Sequence, residues 1–277
     1  MKNLTVAFST CPNDTFMFQA MVKGQVNTEG FSFQPILKDI FHLNQMAQQE
    51  GADIIKVSYN TFGKLTDSYA LLDSGSALGH NCGPLLISKN PFTVEELIKQ
   101  DLPVAIPGKN TTANLLLGYY APEITNKREY LFHEIMPAIL REEVAAGVII
   151  HENRFTYQQE GLKLIQDLGE YWESKTNLPI PLGAILAKKS LGKQTIDALS
   201  EILRFSIQFA FDHPDQVMDY VASYAQEMDE QVMRSHIDLY VNEYSLSLGK
   251  KGKEAVRALL QTGIDMGLYP YEVVPKF

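Results

Sequence analysis

Apolar and polar positions along the chain follow two periods, one typical of strands and one typical of helices. Short apolar runs predict strands at 4–9 (LTVAFS), 31–37 (FSFQPIL) and 52–58 (ADIIKVS). Helical spacing lies between these runs, at 15–24 and 41–51, and each helical segment ends at a glycine. The opening of the chain therefore predicts a βαβαβ arrangement, which is typical of an α/β protein with mostly parallel sheets.

The middle of the chain continues this alternation and the end does not. Strands are predicted at 103–108 and 147–152, with a helix at 110–120 and a short strand followed by a helix within 128–147. From Lys193 onward the pattern is almost wholly helical, with 3.6-residue periodicity. The predicted strands thus all precede a helical C-terminal part.

Two segments that resemble each other suggest how the chain is divided. Residues 82–90 (CGPLLISKN) and 181–190 (PLGAILAKKS) are both apolar runs that follow a Gly/Pro pair and end in Lys. If the chain leaves one lobe along the first and returns along the second, residues 1–89 and 183–277 form one lobe and 90–182 form an inserted lobe. Two-lobed, hinge-closing proteins of this kind bind a ligand in the cleft between the lobes. Two ordinary strands of a single sheet would explain the same pattern, although a second, weaker echo within the chain favours two lobes.

Composition and charge exclude several classes of function. Lys and Arg total 24 against 33 Asp and Glu, and the formal charge of −9 repels a nucleic-acid backbone. No apolar run approaches the ~18 residues that a membrane helix needs. The first residues lack the apolar core and cleavage site of a secretory signal, so we expect a cytoplasmic protein. Cys11 and Cys82 stand far apart and outside any CxxC spacing, so we expect reduced thiols and neither a disulfide nor a zinc site.

Polar residues where predicted strands end are candidates for ligand binding. In parallel α/β sheets ligands lie beyond the carboxyl ends of the strands, where helix N-termini offer N–H groups and a positive dipole. Four strand ends are unusually polar: 9–16 (STCPNDTF), 56–63 (KVSYNTFG), 108–114 (GKNTTAN) and 151–157 (HENRFTY). In the first of these segments Asn13 and Asp14 either bind ligand hydroxyls or shape and cap the turn, and the pattern does not distinguish these roles.

The second and third segments offer a cation and two hydroxyls. Lys56 lies at the end of an apolar strand with Ser58 on the same face, and a Lys in this place either pairs with a neighbouring carboxylate or meets an anion. Thr111 and Thr112 open an apolar helix, where hydroxyls and amides suit an organic carboxylate or a phosphate. Plain N-capping by Asn110 or Thr111 explains the same residues equally well. The P-loop spacing is absent, which argues against a nucleotide phosphate.

The fourth segment offers a base. His151 follows the apolar run GVII, and an imidazole is easily tuned to accept a proton near neutral pH, although an ordinary hydrogen-bonded His is the more common case. No HExxH, GxSxG or GxGxxG motif is present, so metal, serine acyl-transfer and dinucleotide chemistry all lack their main signals. The other histidines stand in helical or loop contexts without ligand spacing: His42, His80, His133, His213 and His236.

Taken together, the four segments and the GPLL strand resemble the 1,4-dihydroxy-6-naphthoate synthase family of menaquinone biosynthesis by the futalosine route. The match runs in order from residue 4 to about residue 190. The resemblance implies a two-lobed fold like that of the type II periplasmic binding proteins, without their export signal. It also implies a carbon–carbon lyase that converts cyclic dehypoxanthine futalosine, an aromatic carboxylate with a sugar-derived part, to 1,4-dihydroxy-6-naphthoate without a metal or organic cofactor.

The resemblance also assigns roles to residues of this chain. The family's active-site base falls on His151. Its substrate-binding segments fall on Lys56, Val57, Ser58, Thr111 and Thr112, with Asn13 and Asp14 in the opening turn. Two alternatives stay open: a chorismate dehydratase-type enzyme of the same pathway, and a non-catalytic cytoplasmic solute-binding protein for a small carboxylate. The intact PNDTF and HENRFTY segments argue against the first.

Overall fold

The computed structural model describes residues 2–151, 153–225 and 229–269. Its contacts divide the chain into two compact units, one formed by 1–79 with 181–277 and the other by 80–180. Each unit contains its own sheet. The first unit is therefore discontinuous in sequence, and the second is inserted into it.

In its described part, the first unit is built on a mixed sheet of six strands. The order is β2-β1-β3-β11-β4, with β5 paired to β11: β1 (Lys2–Phe8), β2 (Phe31–Leu37), β3 (Ile54–Ser58), β4 (Tyr69–Leu71), β5 (Ala77–Gly79) and β11 (Ile180–Lys188). Strand β1 runs parallel to both β2 and β3, whereas β11 runs antiparallel to β3 and β4. The parallel βαβαβ opening predicted from the apolar pattern is confirmed.

Helices of the first unit come from both of its sequence segments. They are α1 (Pro12–Val22), α2 (Ile40–Gln48), α3 (Tyr59–Phe62), α9 (Lys193–Asp212), α10 (Pro214–Ala222), α11 (Glu230–Tyr240), α12 (Glu243–Leu246) and α13 (Gly249–Asp265), with a 3-10 turn at Lys189–Leu191. Helix α1 is buried along nearly its whole length because it packs on β2 and on the helices α9, α10 and α11. The rings of Phe8 on β1 and Phe18 on α1 stack with centroids 4.5 Å apart. The helical C-terminal part thus covers the helix that follows the opening turn.

The second unit, where described, has a five-stranded sheet in the order β10-β6-β9-β7-β8. Strand β7 is parallel to β8 and β9, while β6 is antiparallel to β9 and β10. Its elements are β6 (Leu85–Ser88), α4 (Val94–Lys99), β7 (Val104–Ile106), α5 (Thr112–Tyr120), β8 (Lys127–Glu129), α6 (Phe132–Leu140), β9 (Ala146–Ile149), α7 (Asn153–Thr156), β10 (Lys163–Asp167) and α8 (Leu168–Thr176). Buried aliphatic side chains from β6, β9 and α6 form a separate core for this unit.

The unit boundaries differ from the expected 90 and 182. The second unit begins at His80 because β6 pairs with β9 and β10, so this strand joins the second sheet and not the first. At the other end the division falls at Ile180, where β11 begins, and β11 pairs with β3 and β4 of the first sheet. The two similar apolar runs, β6 and β11, therefore belong to different sheets, and the strands with which each one pairs determine its sheet.

Several predicted element ends are wrong by a few residues. Helix α1 begins at Pro12 and not at Thr15, and α6 ends at Leu140, well before Gly147. The strand predicted over 147–152 ends at Ile149, and Glu152 lies outside the described residues. Among the helices described, none has the length and apolar composition needed to cross a bilayer.

The two glycines predicted to end α1 and α2 differ in backbone conformation. Gly24 follows α1 with φ at +68°, the left-handed conformation expected of a glycine at that position. After α2 the left-handed residue is Glu50, at φ +52°, and not Gly51. The amide of Gly51 instead donates to the carbonyl of Met46. The position of the helix end was predicted in both cases. The residue that adopts the left-handed conformation was predicted only for α1.

Candidate active site

The opening turn of the first unit is held by a buried carboxylate. Asp14 lies in the first turn of α1 and is 1% exposed. Its Oδ2 accepts hydrogen bonds from the backbone N and the hydroxyl of Ser9, at 3.1 and 2.7 Å. Because α1 starts at Pro12 with Cys11 as its N-cap, Asp14 is inside the helix and does not cap it. Its side chain reaches back over the turn and fixes the exit from β1.

The other oxygen of Asp14 forms an ion pair with Lys56. The distance from Lys56 Nζ to Asp14 Oδ1 is 2.6 Å, and the two side chains are 6% and 1% exposed. The Asn13 amide donates to the same Oδ1 at 2.9 Å. A carboxylate has about four lone-pair sites, and here Ser9, Asn13 and Lys56 direct donors to both of its oxygens. Through these contacts Asp14 shapes the turn and holds Lys56.

Strand β3 places Lys56 where a glycine makes room for it. A Cβ added to Gly183, on the neighbouring strand β11, would lie 2.5 Å from Lys56 Cε. The absence of a side chain at Gly183 therefore leaves room for the Lys56 stem beside β11. Of the two outcomes expected for this Lys, pairing with a neighbouring carboxylate is the one observed.

The remaining predicted residues of β3 differ in what they can contribute. Ser58 is tied to α2, because its backbone N donates to Asn44 Oδ1 at 2.9 Å and Asn44 Nδ2 donates to its hydroxyl at 3.1 Å. Val57 is fully buried and lies on the opposite face of the strand from Lys56 and Ser58. The buried Val57 side chain is therefore not accessible to a ligand from solvent. Ser58, in contrast, lies on the same face of the strand as Lys56.

A histidine that the sequence pattern did not single out joins the buried polar cluster formed by Ser9, Asn13, Asp14 and Lys56. His236, on α11, is fully buried, and its Nε2 lies 3.0 Å from Asn13 Oδ1. Its partner is 223 residues away in the chain. Because this contact depends entirely on the packing of α11 on α1, helical periodicity carried no signal for it.

The candidate residues of the second unit gather at one edge of its sheet. Strands β7 and β9 are parallel neighbours, so the segments that follow them leave the sheet on the same side. Thr111 and Thr112 follow β7, and His151 follows β9. Leu85 at the start of the antiparallel β6 lies opposite Ile149 at the end of β9, which brings the residues before β6 to this edge as well.

Thr111 is the N-cap of α5. Its hydroxyl accepts a hydrogen bond from the Asn114 amide at 3.2 Å and donates to the Gly108 carbonyl at 2.7 Å. Thr112 is the first residue of the helix, and both threonines are buried. The capping interpretation therefore holds for Thr111, whose hydroxyl proton is directed at Gly108. Thr112 stands at the positive end of the helix dipole.

His151 lies in a turn beyond β9 and not at the strand's end. Its φ is +58°, a left-handed conformation that is uncommon for residues other than glycine but more frequent for Asn, Asp and His. Its ring packs edge-on against Phe132, the first residue of α6, with centroids 4.7 Å apart and planes at 64°. Backbone conformations of this kind are held only where surrounding contacts enforce them, and they are frequent at functional sites.

Contacts that the sequence did not reveal hold the segment after His151. Arg154, on α7, donates to the Gly83 carbonyl and, at 3.0 Å, to Asp167 Oδ2. Asp167 in turn caps α8 by accepting from the amides of Gly169 and Glu170. Both charged side chains are largely buried, at 17% and 15% exposure. The turn that carries His151 is therefore anchored to the chain before β6 and to the start of α8.

Cys82, beside this anchor, and Cys11 in the first unit are both buried, and neither takes part in a disulfide within the described residues. Burial raises the pKa of Cys82 to about 12, against the lowering effect of the nearby Arg154. A thiol in that condition stays protonated at neutral pH and is a poor nucleophile. Within the described ranges, no group of three or more His, Cys, Asp or Glu side chains is placed to hold a metal ion.

Solved structures share this architecture of two sheet-containing units. The periplasmic aliphatic sulphonate binding protein of Escherichia coli matches with a TM-score of 0.66 at 9% identity, over 99% of this chain and 90% of that chain. Protein AF1704 of Archaeoglobus fulgidus matches with a TM-score of 0.90 at 31% identity, over 96% and 98%. The protein is therefore an α/β protein with a periplasmic-binding-protein-like fold, which confirms the predicted fold class.

Within that class, the sequence comparisons define the family. A family model described as menaquinone biosynthesis matches residues 4–264. A relative from Thermus thermophilus is 41% identical over 277 residues, covering 100% of both chains, and one from Streptomyces coelicolor is 42% identical over 272 residues, covering 96% and 95%. Both are named 1,4-dihydroxy-6-naphtoate synthase. The chain belongs to this menaquinone biosynthesis family, as the motif segments indicated.

Proposed function

We propose that this chain is a carbon–carbon lyase that forms 1,4-dihydroxy-6-naphthoate from cyclic dehypoxanthine futalosine in menaquinone biosynthesis. The observation that carries the proposal is the likeness, at 41% identity over the whole length, to a relative named for this product. The geometry adds support, because the segments with the family's motifs lie at the carboxyl ends of strands in each unit. These are the places where α/β proteins of this kind bind ligands.

In the proposed reaction His151 is the general base. A neutral imidazole removes a proton from the sugar-derived part of the substrate, a carbon–carbon bond breaks, and formation of the aromatic naphthoate favours loss of the fragment. A positioned base contributes ~10²–10⁴-fold to such a step, and holding the substrate in place contributes much of the rest. The backbone conformation of His151, its packing on Phe132 and the Arg154 anchor support this role, because they restrict the position of the imidazole.

The polar groups of the substrate are assigned to Lys56 with its neighbours and to the start of α5. The carboxylate is assigned to the start of α5, where the first helical amides form the positive end of the helix dipole, Thr112 adds a hydroxyl and Thr111 maintains the cap. Lys56 has three N–H donors, so pairing with Asp14 is compatible with donation to a substrate oxygen as well. Ser58, with Val57 through its backbone, and Asn13 complete the proposed set, and Asp14 acts by holding Lys56.

The function is tested by incubating the purified protein separately with cyclic dehypoxanthine futalosine and with chorismate, followed by chromatography and mass spectrometry. Formation of 1,4-dihydroxy-6-naphthoate from the first substrate, at a rate proportional to enzyme, is the expected result. Dehydration of chorismate would identify the alternative enzyme of the same pathway. Binding of either compound without turnover would indicate a solute-binding protein and overturn the proposal.

Thr112→Val is expected to raise KM by about 10-fold or more with a smaller change in kcat. Valine keeps the volume but removes the hydroxyl, and a hydrogen bond to a charged group contributes ~1.5–3 kcal/mol. Thr111→Ser, which retains the capping hydroxyl, is the matched control and should keep both KM and stability near those of the parent. Thr111→Val should also lower the unfolding free energy by ~0.5–2 kcal/mol through loss of the cap. A parental KM in folded Thr112→Val would refute the carboxylate assignment.

A further inference from the structure

A chain of buried hydrogen bonds connects α11 to Lys56. His236 Nε2 contacts Asn13 Oδ1 at 3.0 Å, Asn13 Nδ2 donates to Asp14 Oδ1 at 2.9 Å, and Lys56 Nζ donates to the same oxygen at 2.6 Å. All four residues are buried. Helix α11 thus reaches the proposed substrate-binding residues through a connected set of polar side chains.

The chemistry of these groups determines which group is the donor in each hydrogen bond from His236 to Asp14. An ionised carboxylate only accepts, so the side of the Asn13 amide that faces Asp14 must be the NH₂ group. The Asn13 carbonyl oxygen then faces His236, which requires the proton to be on Nε2 of that imidazole. Each donor therefore depends on the orientation of the next group. Loss of the His236 donor would leave Asn13 with a buried, unsatisfied oxygen and would allow its amide to turn away from Asp14.

We infer that His236 is a positioning residue for Lys56, acting through Asn13 and Asp14. This inference rests on the proposed function, because Lys56 is assigned there to the substrate. Its role differs from that of other polar contacts on α1. Ser206, on α9, donates to the Met17 carbonyl and accepts from the Met21 amide, and these bonds tie α1 to α9 without any link to Lys56.

A comparison of variants at His236 with a variant at Ser206 provides the test. His236→Leu is expected to raise KM about 10-fold, while kcat stays within a few-fold, since one lost buried hydrogen bond changes a binding free energy by about that factor. His236→Gln retains an N–H donor and should restore KM toward the parental value. Ser206→Ala removes buried hydrogen bonds from the same helix, so it should lower Tm and leave KM unchanged.

Equal KM values in His236→Leu and Ser206→Ala would overturn the inference and reduce His236 to a structural contact. If His236→Leu does not fold, His236→Asn, whose side chain is too short to reach Asn13, carries the same expectation. A second readout needs no substrate: acetylation of Lys56 by an N-hydroxysuccinimide ester, followed by peptide mass spectrometry. Lys56 should be acetylated faster in His236→Leu than in Ser206→Ala when each variant is kept at a temperature equally far below its own Tm. The two assays keep the two claims apart. Absence of turnover by the parent protein refutes the proposed function, whereas equal acetylation rates in the two variants refute the positioning role of His236.

Discussion

His151→Asn is expected to lower kcat by about 10²-fold or more while the fold and most of the substrate affinity are retained. Asparagine fills a similar space and can still form hydrogen bonds, but it cannot accept the proton. It also tolerates the left-handed backbone that this position requires, at φ +58°, so a loss of activity cannot be attributed to backbone strain. The measurement is steady-state kinetics with cyclic dehypoxanthine futalosine, together with Tm.

His133→Asn is the matched control for this prediction. His133 is exposed, lies in the same unit and contacts the same Phe132 ring, so its replacement should leave kcat and KM near the parental values. Turnover of His151→Asn within a few-fold of the parent would assign His151 a structural role. Asp14 would then be a poor second candidate, since its oxygens already receive donors from Ser9, Asn13 and Lys56.

Lys56→Met is expected to lower the free energy of unfolding by about 3–5 kcal/mol. Methionine fills the space of the Lys56 stem but leaves the Asp14 carboxylate, which is 1% exposed, without its counter-charge. Burying an unpaired charge is far more costly than removing a complete ion pair, because desolvation is no longer offset by attraction. Urea denaturation followed by circular dichroism measures the effect.

The double variant Asp14→Asn with Lys56→Met separates charge from packing. Asparagine removes the buried charge at nearly constant volume, so the double variant should be more stable than Lys56→Met alone. If both are equally destabilised, the cost arises from lost packing and the ion pair contributes little. Both variants should also lose substrate affinity under the proposed function, because neither retains an ammonium at position 56.

Much of the local structure was predictable, for reasons contained in short stretches of sequence. The strands β1, β2 and β3 and the helices between them follow from apolar periodicity, and Gly24 marks the end of α1 because it adopts φ +68° at no steric cost. The polar segments at strand ends were also predictable, since a chain leaving a buried parallel strand must satisfy its backbone where a helix begins. Element ends were less certain. The strand before His151 stops at Ile149, although the next residue is also apolar.

Contacts between residues distant in sequence were decided only by the tertiary structure. The Asp14–Lys56 pair spans 42 positions, His236 reaches Asn13 across 223, and Arg154 joins Gly83, which is 71 residues away. Periodicity specifies which face of an element is buried but not which element covers it, so Lys56 was equally compatible with a carboxylate partner and with an anionic ligand. The same limit applies to β6, whose apolar run suited either sheet until β9 and β10 paired with it. The sequence by itself therefore determined the elements, the fold class and the family, because these depend on local patterns and on motif order. Which side chains meet, and hence whether a buried charge is paired, depends on how strands pair and helices pack, and only the tertiary structure decided that.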